Sequence, residues 1–178
     1  MFKKSIVVLL LALLVGCSSK NGSPYNLTEG ANLPEVKQYK VGVVNINLVK
    51  KYDNEKYPNQ KALKELFVSK IKTELTKRAI FSENSKYVLN LDVEYRRIFM
   101  GEAFGMKSKF GGSRFKYKSD IKSKELQLGS YESSEFVATH GPFGAFWRAA
   151  KMYTGQTGIE EEVEDIEVYV KLVVDQLP

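Results

Sequence analysis

The sequence predicts an α+β fold: a single domain in which two principal helices pack on one face of a four-stranded, mainly antiparallel sheet. Three observations predict it. Residues 87–99 alternate apolar and polar side chains, as a strand with one wet face requires. Leu63, Leu66, Phe67, Ile71 and Leu75 recur in steps of three and four, as do Ile159, Val163, Ile166, Val170, Val173 and Leu177; this is the spacing of an apolar stripe on a helix. The coarse order along the chain is strand, helix, three strands, helices, with no internal repeat.

The first strand is expected at 41–49, where the run is β-branched and nearly apolar on both faces, as suits an inner strand. A charged loop follows. Pro58-Asn59 then opens a helix to about Ile80. Lys61, Lys64, Lys72 and Lys77 fall largely away from its stripe, and Lys77 and Arg78 offset the dipole at its C-terminus. In the strand at 86–99, Tyr87, Leu89, Leu91, Val93, Tyr95 and Phe99 should face the helices, and Val88, Asn90, Asp92, Glu94 and Arg96 should be more exposed. Strands at 115–124 and 125–138 complete an antiparallel meander, with Asp92 and Glu94 opposite part of a lysine row. Gly141-Pro142 breaks the chain, and 143–153 reads as a short helix. Thr157 as N-cap and Glu160 at N3 fit a capping box for the last helix, which runs to about Gln176.

Composition sets the remaining bounds. Of 178 residues, 43% are hydrophobic and 27% charged, which marks a globular chain rather than a disordered one. Cys17 is the only cysteine, so the chain offers no internal disulfide and no thiolate metal site. Lys3 and Lys4 precede an unbroken apolar run over 6–15, too short to span a bilayer comfortably: a secretory signal. It ends in Leu14-Val15-Gly16-Cys17, which resembles the lipobox of bacterial lipoproteins. That resemblance implies cleavage before Cys17, a diacylglycerol on its sulfur and an acyl chain on its new amino group, with no other cofactor. Residues 1–16 are then signal peptide, 17–39 the lipidated cysteine and a tether, and 40–178 an α+β periplasmic domain. The polar start of the tether, with Pro24, buries too little apolar surface to fold, and about 20 such residues span roughly 25 Å. The same resemblance to bacterial lipoproteins implies, from Ser18 in place of an aspartate, sorting to the outer membrane, facing the periplasm. The inner membrane and the cell surface are the alternatives. Removing residues 1–16 leaves 25 basic against 21 acidic residues, a mild excess of +4 that falls below the demands of a nucleic-acid binder.

Five features are weighed for function. The loop over 100–112 combines glycines with Phe104, Met106 and Phe110, an apolar surface that either folds back on its own domain or docks a partner or membrane. Phe146 and Trp147 share one face of the short helix, as in an interfacial helix or one capping the core. Lys116, Lys118, Lys122 and Lys124 form a one-sided row suited to lipopolysaccharide, anionic lipid or another polyanion, or simply a solvated sheet face. Six acids between Glu160 and Glu167 read as a solvated helix start near a favourable dipole. His140, with Ser133, Ser134 or Glu135 nearby, is a thin basis for a hydrolase and more simply ends a strand. No metal-ligating set is evident.

The order of elements also resembles that of small periplasm-facing envelope lipoproteins, and this resemblance implies a binding or assembly role. The expected function is therefore a membrane-anchored, non-catalytic lipoprotein, held to the bilayer by Cys17 and bound to another envelope protein. Polyanion binding through the lysine face is the first alternative, and a His140 hydrolase the second.

Overall fold

The computed structural model describes residues 24–29, 38–49, 56–100, 109–124, 126–138, 150–151 and 158–178. Along the chain run β1 (Asn26–Leu27), β2 (Tyr39–Val49), α1 (Gln60–Lys77), β3 (Tyr87–Met100), β4 (Lys109–Ser123), β5 (Leu126–Glu132), β6 (Phe136–Val137) and α2 (Ile159–Asp175). They form one six-stranded sheet in the order β1-β5-β4-β3-β2, with β6 also on β4. The expected four-stranded, mainly antiparallel sheet is thus corrected to a larger, mixed one. Strands β2 and β3 are parallel, because α1 carries the chain back to the end at which β2 began. The single strand expected over 125–138 is two: β5 pairs with 118–123 and β6 with 114–115 of the same neighbour. Strands β1 and β6 are two residues long, too short to leave a periodic signal.

The β3 alternation behaves as its pattern requires. Tyr87, Leu89, Leu91, Val93, Tyr95 and Phe99 are buried, and Asp92 and Glu94 are exposed. Both helices cover this one face. Phe67 of α1 meets Tyr95 edge-on at 5.8 Å between centroids and stacks on Phe115 at 5.9 Å, while Tyr169 of α2 stacks on the other side of the core at 4.5 Å from Phe115. Leu63, Ile71 and Leu75 complete the α1 stripe with no exposure. Helix α1 stops short of Ile80 because Ala79 takes a positive φ of 57°, while the N–H groups of Ala79 and Ile80 return to Thr76 and Leu75.

Strand β2 is an edge strand, not the inner strand its composition suggested. Its even positions from Val44 to Leu48 are buried, whereas Val43 is 59% exposed. A bulge between Val41 and Val44 shifts its register on β3, and the Asn90 side-chain oxygen accepts the Val43 N–H at 2.9 Å. Glycine is needed beside it: a Cβ on Gly42 would lie 2.3 Å from Asn90 Oδ1 and 2.4 Å from Val88 Cγ1.

The two ends of the sheet differ. One carries short turns: 78–86 between α1 and β3, and the β4–β5 hairpin, where Lys124 sits in the turn at φ 55° rather than in a strand. The other carries the ends of β2, β3 and β6 and the starts of α1, β4 and α2, so the longer connections leave from there.

Candidate functional site

The end from which the long connections leave is built around one arginine whose side chain is only 10% exposed. Arg97 lies on the covered face of β3, two residues beyond Tyr95, where the sheet runs out from under the helices. Its Nε donates to Glu162 Oε1 at 2.6 Å, and its NH2 donates to the Pro58 carbonyl at 2.6 Å. It thereby joins the first turn of α2 to the residues that lead into α1, while its guanidinium lies 5.6 Å from the Tyr57 ring. Tyr57, Phe99 and Phe110 make a small second core beside it, with ring centroids 5.3–6.5 Å apart.

Of the six acids of α2, Glu160, Glu164 and Glu167 are exposed as expected, but the other three are not the solvated helix start expected of them. Glu161, Glu162 and Asp165 are 0–2% exposed, because the polar side of the first two turns faces the sheet end and its polar groups. Glu162 is pushed upward by burial, which Arg97 opposes without cancelling. Burial also works against the Glu161 charge. There the Gly158 N–H, donated at 2.6 Å, and Lys151 at 3.1 Å prevail and hold the carboxyl below its usual range. Gly158 and Glu161 are therefore the N-cap and N3 residues, one position later than the Thr157–Glu160 box read from the sequence. Asp165 accepts from Ser113 Oγ at 2.7 Å, and Tyr169 donates to the Ser113 carbonyl at 2.7 Å while accepting the Ala138 N–H. Tyr95 lies in the same cluster. Burial, and then the nearby Glu162 charge, raise its phenol well above 10. Among the described residues, the Tyr95 hydroxyl and Glu162 Oε2 have no hydrogen-bond partner. The arrangement fixes three loop bases against one another, and most of its polar groups are occupied with that task.

The uncovered face of the sheet is the second candidate. Its middle holds a shallow trough of about 400 Å³, lined by Asn45, Asn47, Gln60, Asp92, Glu94, Lys116, Lys118 and Glu132 and by the backbone between them. The register sets these residues in two rows. Asn45, Asp92, Lys118 and Glu132 stand abreast across β2, β3, β4 and β5, and Asn47, Glu94 and Lys116 stand abreast beside them. Asn45 Nδ2 donates to Asp92 Oδ1 at 2.7 Å, and Lys116 pairs with Glu132 at 2.9 Å. The Glu132 bond holds the Lys116 ammonium above its usual range, and the lysine draws Glu132 below its own. Asp92 and Glu94 stand opposite Lys118 and Lys116 in the register, as expected, while the Lys116 ion pair is made to Glu132.

The candidate residues fall as follows. Phe110 is fully buried against Tyr57 and Phe99, so it belongs to the core and is not a docking side chain. Cys17, Phe104, Met106, His140, Phe146 and Trp147 lie outside the described residues, as does most of the short helix expected at 143–153. The segments holding Phe104, Met106, Phe146 and Trp147 all depart from the Arg97 end. Lys116 and Lys118 are exposed among carboxylates, Lys122 is half-buried opposite Val88 and Gln127, and Lys124 occupies the hairpin turn. Of the groups considered around His140, Ser133 is buried and its Oγ accepts the Tyr117 N–H, while Glu135 pairs with Arg114. Arg97 escaped the sequence reading. Its one signal was a charge at an odd, core-facing position of an otherwise apolar register.

No family model matches the sequence, and no curated protein is significantly similar to it. Several solved structures are partly similar, two of which serve as examples. One is a protein of Xanthomonas campestris assigned to the DUF330 family, at 12% identity and a TM-score of 0.34, covering 82% of this chain and 94% of that one. The other is the rare lipoprotein B of Shewanella oneidensis, at 7% identity and a TM-score of 0.27, covering 76% and 96%. Similarity at this level carries no functional assignment to the present chain.

Proposed function

We propose that the protein is a lipid-anchored, non-catalytic component of the bacterial envelope that binds another envelope protein through the loops at the Arg97 end of its sheet. The observation that carries the anchor is Cys17, the sole cysteine, placed at the end of an apolar run with small Gly16 before it. The docking end is supported by its construction. Arg97, Glu162, Ser113 and Asp165 clamp the bases of several connections to one another, and rigid bases carrying variable loops are a common form of binding surface. The non-catalytic reading is supported by two of the polar groups near the expected histidine: the Ser133 hydroxyl accepts the Tyr117 N–H and Glu135 pairs with Arg114. Polyanion binding is the weaker reading, because Lys116 and Lys118 stand among Asp92, Glu94 and Glu132 rather than in a bare basic stripe.

Two measurements test this. Cells fed labelled palmitate should mark the wild type and not Cys17→Ser, and the label should follow the outer-membrane fraction; equal labelling of both would overturn the anchor. In-cell crosslinking should capture one envelope protein with the wild type and lose it with Phe104→Ser/Met106→Ser, while the purified variant keeps its thermal midpoint. Capture unchanged in that variant would remove these loop residues as the docking surface.

A further inference from the structure

Residues 24–29 lie within the stretch expected to tether the domain, yet the chain there is bound to the sheet. Asn26 and Leu27 pair with Ser130 and Gly129 of β5. Tyr25 is buried, its hydroxyl lies 2.5 Å from Ser119 Oγ, and its ring packs on Tyr131 at 5.7 Å. Thr28 adds bonds to the carbonyls of Leu128 and Gln127. Gly129 makes room for this: a Cβ there would stand 3.0 Å from Leu27 Cδ2. Cys17 is therefore seven residues from the first described position, Pro24, and even fully extended that chain reaches only about 24 Å. It leaves from the outer edge strand of the sheet, midway along it, and because β1 runs parallel to β4 it sets out away from the β4–β5 hairpin.

The same edge carries large apolar side chains in water. Leu27 is 48% exposed, and Leu126, which begins β5, is 70% exposed. The register puts them on one face: Leu27 is opposite Gly129, which is opposite Ile121, and Leu126 is opposite Ser123, two residues further along β4. Exposed Lys124 adjoins them in the hairpin turn, and exposed Lys86 lies beside Tyr87, the β3 partner of Ser123. We infer that the β1–β5 edge is the membrane-facing side of the domain, with Leu27 and Leu126 entering the headgroup region of the bilayer and Lys86 and Lys124 facing anionic phosphates. The short leash, its point of departure and the two leucines all select the same edge. This rests on the reading of Cys17 as acylated.

The test uses the full-length protein in phosphatidylglycerol-containing vesicles, with tryptophan as the depth probe. In a Trp147→Phe background, Leu126→Trp, Leu27→Trp and, at the opposite edge, Val43→Trp are each compared for quenching by brominated lipids. Quenching at positions 126 and 27 should be at least about twofold stronger than at 43, because interfacial burial reaches only 5–10 Å. A glycine–serine spacer inserted after Gly22 should bring the three positions together. Intact mass separates the two ways of failing. Acylated protein with equal quenching at all three positions overturns the orientation alone, whereas a mass without acyl chains overturns the reading of Cys17 and the orientation with it. The three positions are exposed, and a thermal melt matching the background protein establishes that each variant is folded.

Discussion

Replacing Arg97 by methionine should destabilise the domain in a strongly pH-dependent way. The substitution removes the charge beside Glu162, a carboxylate with no exposure, whose other oxygen already lacks a partner among the described residues. Breaking a buried pair from one side leaves an uncompensated charge and costs about 3–5 kcal/mol. Part of the loss, about 1–2 kcal/mol, comes from the Pro58 hydrogen bond and the Tyr57 contact and does not depend on pH. The remainder does. Glu162 is already raised above its unfolded value by burial, so it favours the fold at acid pH, and that contribution is lost as pH rises through its folded pKa. Without Arg97 the folded value rises further and the window of loss extends upward. Urea unfolding of wild type and variant at pH 5 and pH 7.5 should therefore show a clearly larger deficit at the higher pH. Adding Glu162→Gln should recover most of the pH-dependent part. A deficit equal at the two pH values, or no recovery in the double variant, would refute the buried-charge argument.

Gly42→Ala should lose about 1–3 kcal/mol, because the new methyl displaces Asn90 and frees the Val43 N–H it accepts; urea unfolding measures the loss, and Val43→Ala, at an exposed site, should lose far less. Phe110→Ser should lose at least about 3–5 kcal/mol in the same assay, so its effect on partner capture would report unfolding rather than docking. Tyr25→Phe should lose about 1 kcal/mol and speed amide exchange at Thr28, whose N–H bonds Leu128. Burial pushes the Tyr25 phenol up to about 12, so its contribution is intact below pH 10 and disappears as pH climbs toward 12. The variant should lack that late step in a tyrosine absorbance titration.

The sequence made local periodicity legible and left long-range arrangement hidden. The β3 alternation and the α1 stripe are set by neighbours a few residues away, and they appear where expected. The pairing of Asp92 and Glu94 with lysines was legible for a related reason: a hairpin between two patterned strands leaves few registers that keep both apolar faces inward. The position of β2 was not legible. An apolar run suits an edge strand that lies under a helix as well as it suits a central strand, and only the return of α1 decides between them. The α2 acids misled because a carboxylate at a helix start is favourable in water, whereas here Arg97, 65 residues away in sequence, supplies the counter-charge for Glu162 inside the protein. The core stripe of α2 is rotated for the same reason: Ile159 is 49% exposed, while Tyr169 and Val174 are buried. Candidate sites followed this division. The lysine row was visible as a pattern, but its carboxylate partner Glu132 arrives from β5, through a pairing that the pattern does not specify.

The docking of β1 also orders the folding of the chain. Tyr25 closes on Ser119, 94 residues later, and Asn26 on Ser130, so β1, made before the strands it joins, has no binding site until β4 and β5 exist. A contact of such long range is among the slowest to form, because the intervening loop must be closed before the contact returns any energy. Residues 25–28 thus take their place on the sheet only after β4 and β5 have assembled. On the proposed acylation of Cys17, the lipid would be attached before this last strand closes on the sheet.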